Sequence, residues 1–222
     1  MPIFRVADKL VLFIHIPKAA GTSVETMLGM HPQCSSIHCL EIGPDNAFNA
    51  AAVCSPQHFH AEILARLFNL TRFDFIFTII RDPLCRLLSE HTMRIQRNDI
   101  DNQPFDSWYS AVREKRLENP YMYDNHLRPA AEFIMDSCHV YDLSDGLSNI
   151  WRSVSSMIGI DSSEVEVQRI KPCGGTNASA TSVSTETKRL IAIDYDCDFR
   201  LKRKFLAQKS PSSPWVIGAN LF

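Results

Sequence analysis

The stretch that decides the fold is His15-Ile16-Pro17-Lys18-Ala19-Ala20-Gly21-Thr22-Ser23. It follows an apolar run from Leu10 to Ile16 that predicts a buried strand, and it precedes a segment from Val24 to Leu28 that predicts a helix. A tight loop between a buried strand and a helix exposes unpaired backbone N–H groups, and the helix dipole favours negative charge there. The sequence therefore predicts an anion site in this loop.

The side chains of the loop suit a phosphate or a sulfuryl group. Gly21 lets the backbone approach a ligand closely, Lys18 adds a full positive charge, and Thr22 and Ser23 add hydroxyl donors. The Walker pattern for nucleoside triphosphates needs a lysine after its second glycine, whereas Lys18 precedes the only glycine here. An ordinary strand-to-helix turn with a surface lysine is the alternative interpretation.

A second strand–turn–helix unit follows. Residues 74–80 predict another buried strand, and a helix is predicted from Pro83 to about Arg97. Arg81 stands where the strand ends, which is where open parallel sheets bind ligands, and a guanidinium can grip a phosphate with two hydrogen bonds. Ser89 lies just over two helical turns further on and can face the same ligand. The alternative for Arg81 is a structural ion pair with Asp82 or another carboxylate.

The rest of the chain alternates in the same way and predicts a parallel sheet covered by helices on both faces. We expect one domain over residues 1–222, with Ser210–Phe222 as a loosely ordered tail. Further predicted elements are helices at 61–68, 105–117, 147–158 and 184–206 and a strand at 139–143.

Bulk composition excludes some classes of function. The 222 residues carry a formal charge of −2, so no global basic field attracts nucleic acid or a membrane surface. The seven cysteines are odd in number and include no CxxC pair, which argues against a structural zinc site and favours buried free thiols in a reducing compartment. We recognise no signal peptide or membrane-spanning run, so a cytoplasmic location is expected.

Taken in order, the two motifs resemble those of sulfotransferases that use 3′-phosphoadenosine-5′-phosphosulfate (PAPS). Residues 15–23 resemble the 5′-phosphosulfate loop, and residues 81–89 resemble the 3′-phosphate motif RDPxxRxxS. The likeness is to the carbohydrate branch that includes heparan sulfate 2-O-sulfotransferases and bacterial-type relatives. It implies a P-loop-like three-layer α/β fold with a central parallel sheet. It also implies PAPS as donor and PAP as product, bound by Lys18, Ala20, Gly21, Thr22, Ser23, Arg81 and Ser89. Many members have a second glycine where this chain has Ala20, and a tyrosine where it has His91.

The resemblance further implies in-line transfer of a sulfuryl group to a hydroxyl, with no metal required. A general base should take the hydroxyl proton. Gln57-His58-Phe59-His60-Ala61-Glu62 resembles an HxH segment whose second histidine is the proposed base, so we assign that role to His60, with His58 as helper and Glu62 as fallback. Structural or surface histidines are the alternative. A metal at the HxH segment is discounted because the sequence signals no third ligand.

Other features leave several readings open. Asn125, His126 and Arg128 are expected to contact acceptor or cofactor, or else to cap a helix, and Lys171 with residues 174–176 is a candidate loop over the nucleotide. The acceptor is a saccharide or a small metabolite, and the oligomeric state is unknown. A nucleotide-dependent phosphotransferase and a non-catalytic nucleotide-binding homologue are the alternative functions.

Overall fold

The computed structural model describes residues 2–38, 52–167, 183–208 and 215–216. The strands of these residues form one sheet in the order β3-β1-β2-β4-β5-β6. The strands are β1 Ile3–Val6, β2 Lys9–Ile14, β3 Cys34–His38, β4 Phe75–Ile80, β5 His139–Asp142 and β6 Trp215–Val216. The helices are α1 Gly21–Met30, α2 Ala61–Leu67, α3 Pro83–Gln96, α4 Phe105–Glu118, α5 Leu147–Ile158, α6 Thr185–Asp194 and α7 Asp196–Gln208.

The centre of the sheet is parallel, as predicted. Strand β4 pairs in parallel with β2 on one side and with β5 on the other, and every residue of β4 is buried. Strands covered on both faces need such continuous apolar runs. The outer pairs are antiparallel: β1 with β2, β3 with β1, and β6 with β5. The sheet is therefore mixed, and the antiparallel outer strands β1, β3 and β6 are additions to the prediction.

Helices cover both faces of the sheet, which confirms the predicted layered α/β architecture. One apolar cluster joins alternate residues of β1, β2 and β4, such as Phe13 and Phe77, to helices α1 and α5. A second cluster joins the intervening residues, such as Leu12 and Ile76, to α2, α7 and the short 3₁₀ turn at residues 130–133. The alternation follows from the two-residue repeat of a strand.

Helices α3, α4 and α6 form a third apolar cluster around Trp108 and Tyr195. Helix α3 begins three residues after β4 ends, so its first turn lies at the carboxyl edge of the parallel strands. Asp82 caps this helix by accepting a hydrogen bond from the backbone N–H of Cys85 at 3.1 Å, and Pro83 occupies the first turn, where a missing N–H costs nothing.

Two expectations for the C-terminal part need correction. The single helix predicted over 184–206 is two helices, α6 and α7, separated at Tyr195, whose φ of −119° is not helical. The buried hydroxyl of Tyr195 donates to the carbonyl of Leu127 at 2.7 Å, so a tertiary contact fixes the residue at the break. Of the expected tail at 210–222, Trp215 and Val216 form strand β6, and the other residues lie outside those described.

The expectation of free thiols is wrong for Cys85, which is disulfide-bonded. Cys34, Cys54, Cys138 and Cys197 are free. Because disulfides persist mainly in oxidising compartments, this bond removes part of the argument for a reducing, cytoplasmic setting. In the part of the chain that the structure describes, no helix is both long and apolar enough to cross a membrane.

Candidate active site

One cleft, of about 660 Å³, opens where the first turns of α1 and α3 leave the sheet. Both sequence motifs line it. From the first come Lys18, Ala20, Gly21, Thr22 and Ser23, and from the second come Arg81 and Ser89. The structure therefore brings together all the residues that the sequence analysis assigned to the donor nucleotide.

The first loop has the backbone geometry of an anion cradle. Lys18 and Ala20 have φ values of 64° and 71°, in the left-handed region, and α1 starts directly after Ala20. No side chain caps this helix, and its first turn carries no acidic residue. Alternating left-handed residues turn successive N–H groups toward one side, and these groups have no side-chain acceptor. These N–H groups are therefore available to bind an anionic group.

Gly21 is required by the ring of His15. A Cβ added at Gly21 would lie 2.2 Å from two atoms of that ring, far inside van der Waals contact. The ring cannot easily move away, because Nδ1 of His15 is hydrogen-bonded to Glu25 and Gln57 donates to both oxygens of the same carboxylate, at 3.1 and 3.2 Å. Glu25 is thus the hydrogen-bond partner of His15.

The two motifs touch each other. Nη1 of Arg81 donates to the backbone carbonyl of Lys18 at 3.1 Å, and Nζ of Lys18 lies 3.1 Å from Sδ of Met93 on α3. Within the described residues, neither Lys18 nor Arg81 has a carboxylate within salt-bridge distance, so the alternative ion pair between Arg81 and Asp82 does not form. Burial lowers the pKa of Lys18.

Arg86 holds the cleft together from beneath. Its side chain is only 3% exposed, Nε donates to the carbonyl of Pro17 at 3.1 Å, and Nη2 donates to the carbonyl of Arg128 at 3.0 Å. Its counter-charge is Asp198 of α7, at 3.6 Å, which also accepts from the backbone N–H groups of residues 130 and 131. One buried cation therefore ties the first loop, the 126–128 segment and the C-terminal helix together. Nothing in the motif itself predicts this structural function, because the partners of Arg86 come from three distant segments.

Of the two histidines in the HxH segment, only His58 lines the cleft. His58 is buried, and its Nδ1 lies 2.8 Å from Oδ2 of Asp124 and 3.0 Å from Oγ of Ser55. Burial lowers the pKa of His58, whereas the hydrogen bond to Asp124 acts in the opposite direction. Burial alone would raise the pKa of Asp124, but the hydrogen bond with His58 brings it down to about 2. The pair is a neutral imidazole held by a carboxylate.

His60 and Glu62, the expected base and fallback base, lie elsewhere. His60 precedes the first turn of α2, and its buried ring lies near the rings of Tyr121 and Phe133, 5.9 and 6.4 Å between centroids. Glu62 is 64% exposed and pairs with Arg66 at 2.6 Å. Residues i and i+2 of an extended strand would share a face, but His58 ends a 3₁₀ turn at residues 56–58, and the backbone becomes extended only at residues 59 and 60. The first histidine therefore meets the cleft and the second turns into the core.

A second histidine–carboxylate pair stands beside His58. The rings of His58 and His126 meet edge to face with centroids 4.6 Å apart, and Nδ1 of His126 lies 2.6 Å from Oε2 of Glu90. Burial lowers the pKa of His126 to about 4. Burial would raise the pKa of Glu90, but hydrogen bonds from His126 and Arg94 lower it to about 2. His126 and Arg94 also line the cleft.

The segment that carries Asp124 and His126 has a strained backbone. Tyr123, Asp124 and Asn125 all have positive φ, at 53°, 59° and 68°. Left-handed conformations at successive non-glycine residues are costly and cluster at functional sites. Asn125 is fully buried; its amide donates to the carbonyl of His58 at 2.8 Å, and its oxygen accepts from Arg128 at 2.6 Å. These bonds make Asn125 and Arg128 supports for His58. Lys171 and residues 174–176 lie outside the described residues.

The sequence model of the family described as "Sulfotransferase family" matches residues 2–199, which include both motifs and the whole cleft. The chain belongs to the sulfotransferase family. The comparisons with curated proteins and with solved structures returned no match. The general chemistry of this family is transfer of a sulfuryl group to an acceptor.

Proposed function

We propose that this sulfotransferase takes its sulfuryl group from PAPS and passes it to a hydroxyl of a saccharide or a small metabolite by in-line displacement. The observation that carries the proposal is the contact between the two motifs, in which Arg81 donates to the carbonyl of Lys18 in one cleft. PAPS has a 5′-phosphosulfate and a 3′-phosphate on one adenosine, so its binding needs two anion sites close together. We also propose that residues 1–222 form a single domain.

The residues present fit such a donor. The uncapped start of α1 offers backbone N–H groups, Thr22 and Ser23 offer hydroxyls, and Lys18 offers a cation without a carboxylate partner among the described residues. Arg81 and Ser89 supply the second anion site. In sulfuryl transfer, as in phosphoryl transfer, a protein contributes mainly alignment and charge stabilisation, and we assign to Lys18 the neutralisation of the leaving oxygen.

We propose His58 as the general base, in place of His60 and Glu62. With Nδ1 donating to Asp124, the neutral ring keeps its lone pair on Nε2, and that nitrogen can accept the proton of an acceptor hydroxyl. Asp124 is then a positioning residue, because it holds the ring in this tautomer. The lowered pKa of His58 keeps the ring unprotonated at neutral pH.

Thermal unfolding with added nucleotide tests the donor. A protein built for PAPS should be stabilised by PAP more than by ATP or GTP at equal concentration, because only PAP carries the 3′-phosphate for Arg81 and Ser89. Stronger stabilisation by ATP or GTP would favour the alternative, a nucleotide-dependent phosphotransferase. Transfer of labelled sulfate from PAPS to a panel of saccharides and small alcohols then separates an enzyme from a non-catalytic homologue.

The HxH segment offers a matched pair of variants for the base. We expect His58→Gln to lower turnover by about 10²- to 10⁴-fold with PAP binding retained, because only the proton transfer is lost. His60→Gln changes the same residue type two positions away, outside the cleft, and serves as the control. If His60→Gln abolishes turnover in a folded protein and His58→Gln does not, the base is not His58.

A further inference from the structure

Three ligand-capable side chains converge at one end of the cleft, and we infer that His58, Asp124 and His126 form a binding site for a divalent transition metal, with Zn²⁺ as its best occupant. One nitrogen from each imidazole and one carboxylate oxygen lie within 4.8 Å of one another. Two donors bound to the same zinc ion lie roughly 3.3 Å apart in tetrahedral geometry, so small side-chain rotations close the site.

The ligand set is one that zinc uses. Two histidines with one carboxylate, and a further position left open, are the donors of catalytic zinc sites, while magnesium and calcium prefer oxygen donors throughout. All three side chains line the cleft, so solvent or a ligand can reach the open position. The sequence analysis discounted a metal at the HxH segment for want of a third ligand. The structure supplies partners for His58 from 66 residues further along the chain and beyond.

The groups behind the three side chains strengthen the inference. Metal-bound histidine almost always uses its other ring nitrogen to bond a carboxylate or carbonyl. His126 already has this arrangement, since its Nδ1 lies 2.6 Å from the buried Glu90 and Nε2 is left for a ligand. Asp124 is likewise oriented, because its second oxygen accepts the backbone N–H of Ser55. These bonds hold the side chains in place before any ion arrives.

Charged side chains of both signs lie near the site. Glu90 and Asp124 offset the charge of an ion, while Lys18 and Arg94 line the same cleft and oppose it. The metal site does not require the donor nucleotide, but it shares His58 with the proposed base. An ion bound to that ring and a proton taken up by it exclude each other, so the metal-bound form is not the form that accepts the hydroxyl proton.

Titration of the chelator-stripped full chain with Zn²⁺, against a chromophoric chelator, tests the inference. We expect one ion per chain, and we expect Asp124→Asn and His126→Gln each to weaken binding by about 100-fold or more. Co²⁺ in place of Zn²⁺ should give visible absorption bands that both variants lose. His60→Gln is the matched control and should bind Zn²⁺ like the parent, as should Cys54→Ser, which removes the buried thiol next to the site.

Three results would overturn the site: a parent protein that binds no Zn²⁺, a His126→Gln variant that binds as well as the parent, or a Cys54→Ser variant that loses binding. PAP-induced stabilisation is measured on the same samples without metal and reports folding of each variant. Failure of PAP to stabilise the parent speaks against PAPS as donor and leaves the zinc titration interpretable, so the two proposals fail separately.

Discussion

Replacing Arg86 with methionine should lower the free energy of unfolding far more than replacing any charged residue on the surface. Methionine keeps much of the apolar stem, so the loss of stability comes mainly from removing the guanidinium group. The variant removes the hydrogen bonds to the carbonyls of Pro17 and Arg128 and leaves Asp198, only 4% exposed, without its cation. Removing one partner of a buried ion pair costs about 3–5 kcal/mol, mainly because a buried charge is left uncompensated. That is a large share of a typical folding free energy of about 5–15 kcal/mol.

The control lies on α7, the helix that carries Asp198. Arg200 pairs with Asp196 at 2.9 Å, but both side chains are more than half exposed, at 64% and 52%. Such a pair contributes less than about 1 kcal/mol, so Arg200→Met should change the free energy of unfolding little. Urea unfolding followed by circular dichroism measures both variants. With a slope of a few kcal/mol per molar urea, the Arg86→Met midpoint should fall by roughly 1 M or more.

The pH dependence sharpens the test. Burial raises the pKa of Asp198, and Arg86 acts against that rise. A carboxyl group whose pKa is higher in the folded state than in the unfolded state destabilises the fold as the pH rises from the unfolded pKa through the folded pKa. Without Arg86 the pKa of Asp198 rises further, so the stability loss should be larger at pH 8 than at pH 5. A loss below about 1 kcal/mol at pH 8, or a loss that does not vary with pH, would refute the structural role of Arg86.

The other predictions concern the cleft itself. Lys18→Ala should lower turnover by about 10²- to 10³-fold in a labelled-sulfate assay, because a preplaced cation at a developing charge is lost, and unchanged turnover would contradict its assignment. Arg81→Ala should weaken PAP binding by about 10- to 100-fold in calorimetry, as expected for charge-assisted hydrogen bonds, and equal affinity would remove the second anion site. Gly21→Ala should impair PAP binding and turnover together, since its Cβ would lie 2.2 Å from a neighbouring imidazole, whereas Gly29→Ala, whose Cβ meets nothing within 4 Å, should leave both intact. The acid limb of the pH–rate profile should lie below 6.5, because burial lowers the pKa of His58 and the neutral ring is lost only as pH falls through that lowered value; a limb above 6.5 would contradict this base.

Much of the fold could be predicted because its central helices and strands have clear local sequence patterns. The helix predicted over 147–158 has the same bounds in the structure, and the strand predicted at 74–80 begins one residue later. Such elements combine a clear apolar repeat with a proline, glycine or capping residue at the end. The antiparallel strands β1 and β3 are short and lie on one side of the sheet, with β3 at its edge. Their pairing is set by neighbours rather than by their own four or five residues, so the sequence alone gave little sign of them.

The cradle geometry of the first loop could be predicted, whereas the surroundings of the proposed base could not. Residues 15–23 are contiguous, so their motif alone predicts the loop between strand and helix that the structure has. His58 and Asp124 are 66 residues apart, and Glu90 and His126 are 36 apart, so each carboxylate becomes a partner only through folding. The assignment of the base to His60 relied on resemblance within a short HxH segment. Such a segment does not say which of its two histidines faces the cleft, because the change from a 3₁₀ turn at His58 to extended backbone at His60 appears only in the structure.

The net charge of the chain gives no indication of an anion-binding cleft, because the carboxylates near the cleft are bonded to histidines. The chain has a formal charge of −2, and three acidic residues lie at the cleft: Asp124 lines it, and Glu25 and Glu90 lie behind its lining histidines. Each of three such residues is already bonded to a histidine: Glu25 to His15, Asp124 to His58, and Glu90 to His126. None of the three is within salt-bridge distance of Lys18 or Arg81 in the described residues. The cleft therefore presents cations to an anionic ligand while its carboxylates orient imidazoles, and a net charge summed over the sequence cannot distinguish the two uses.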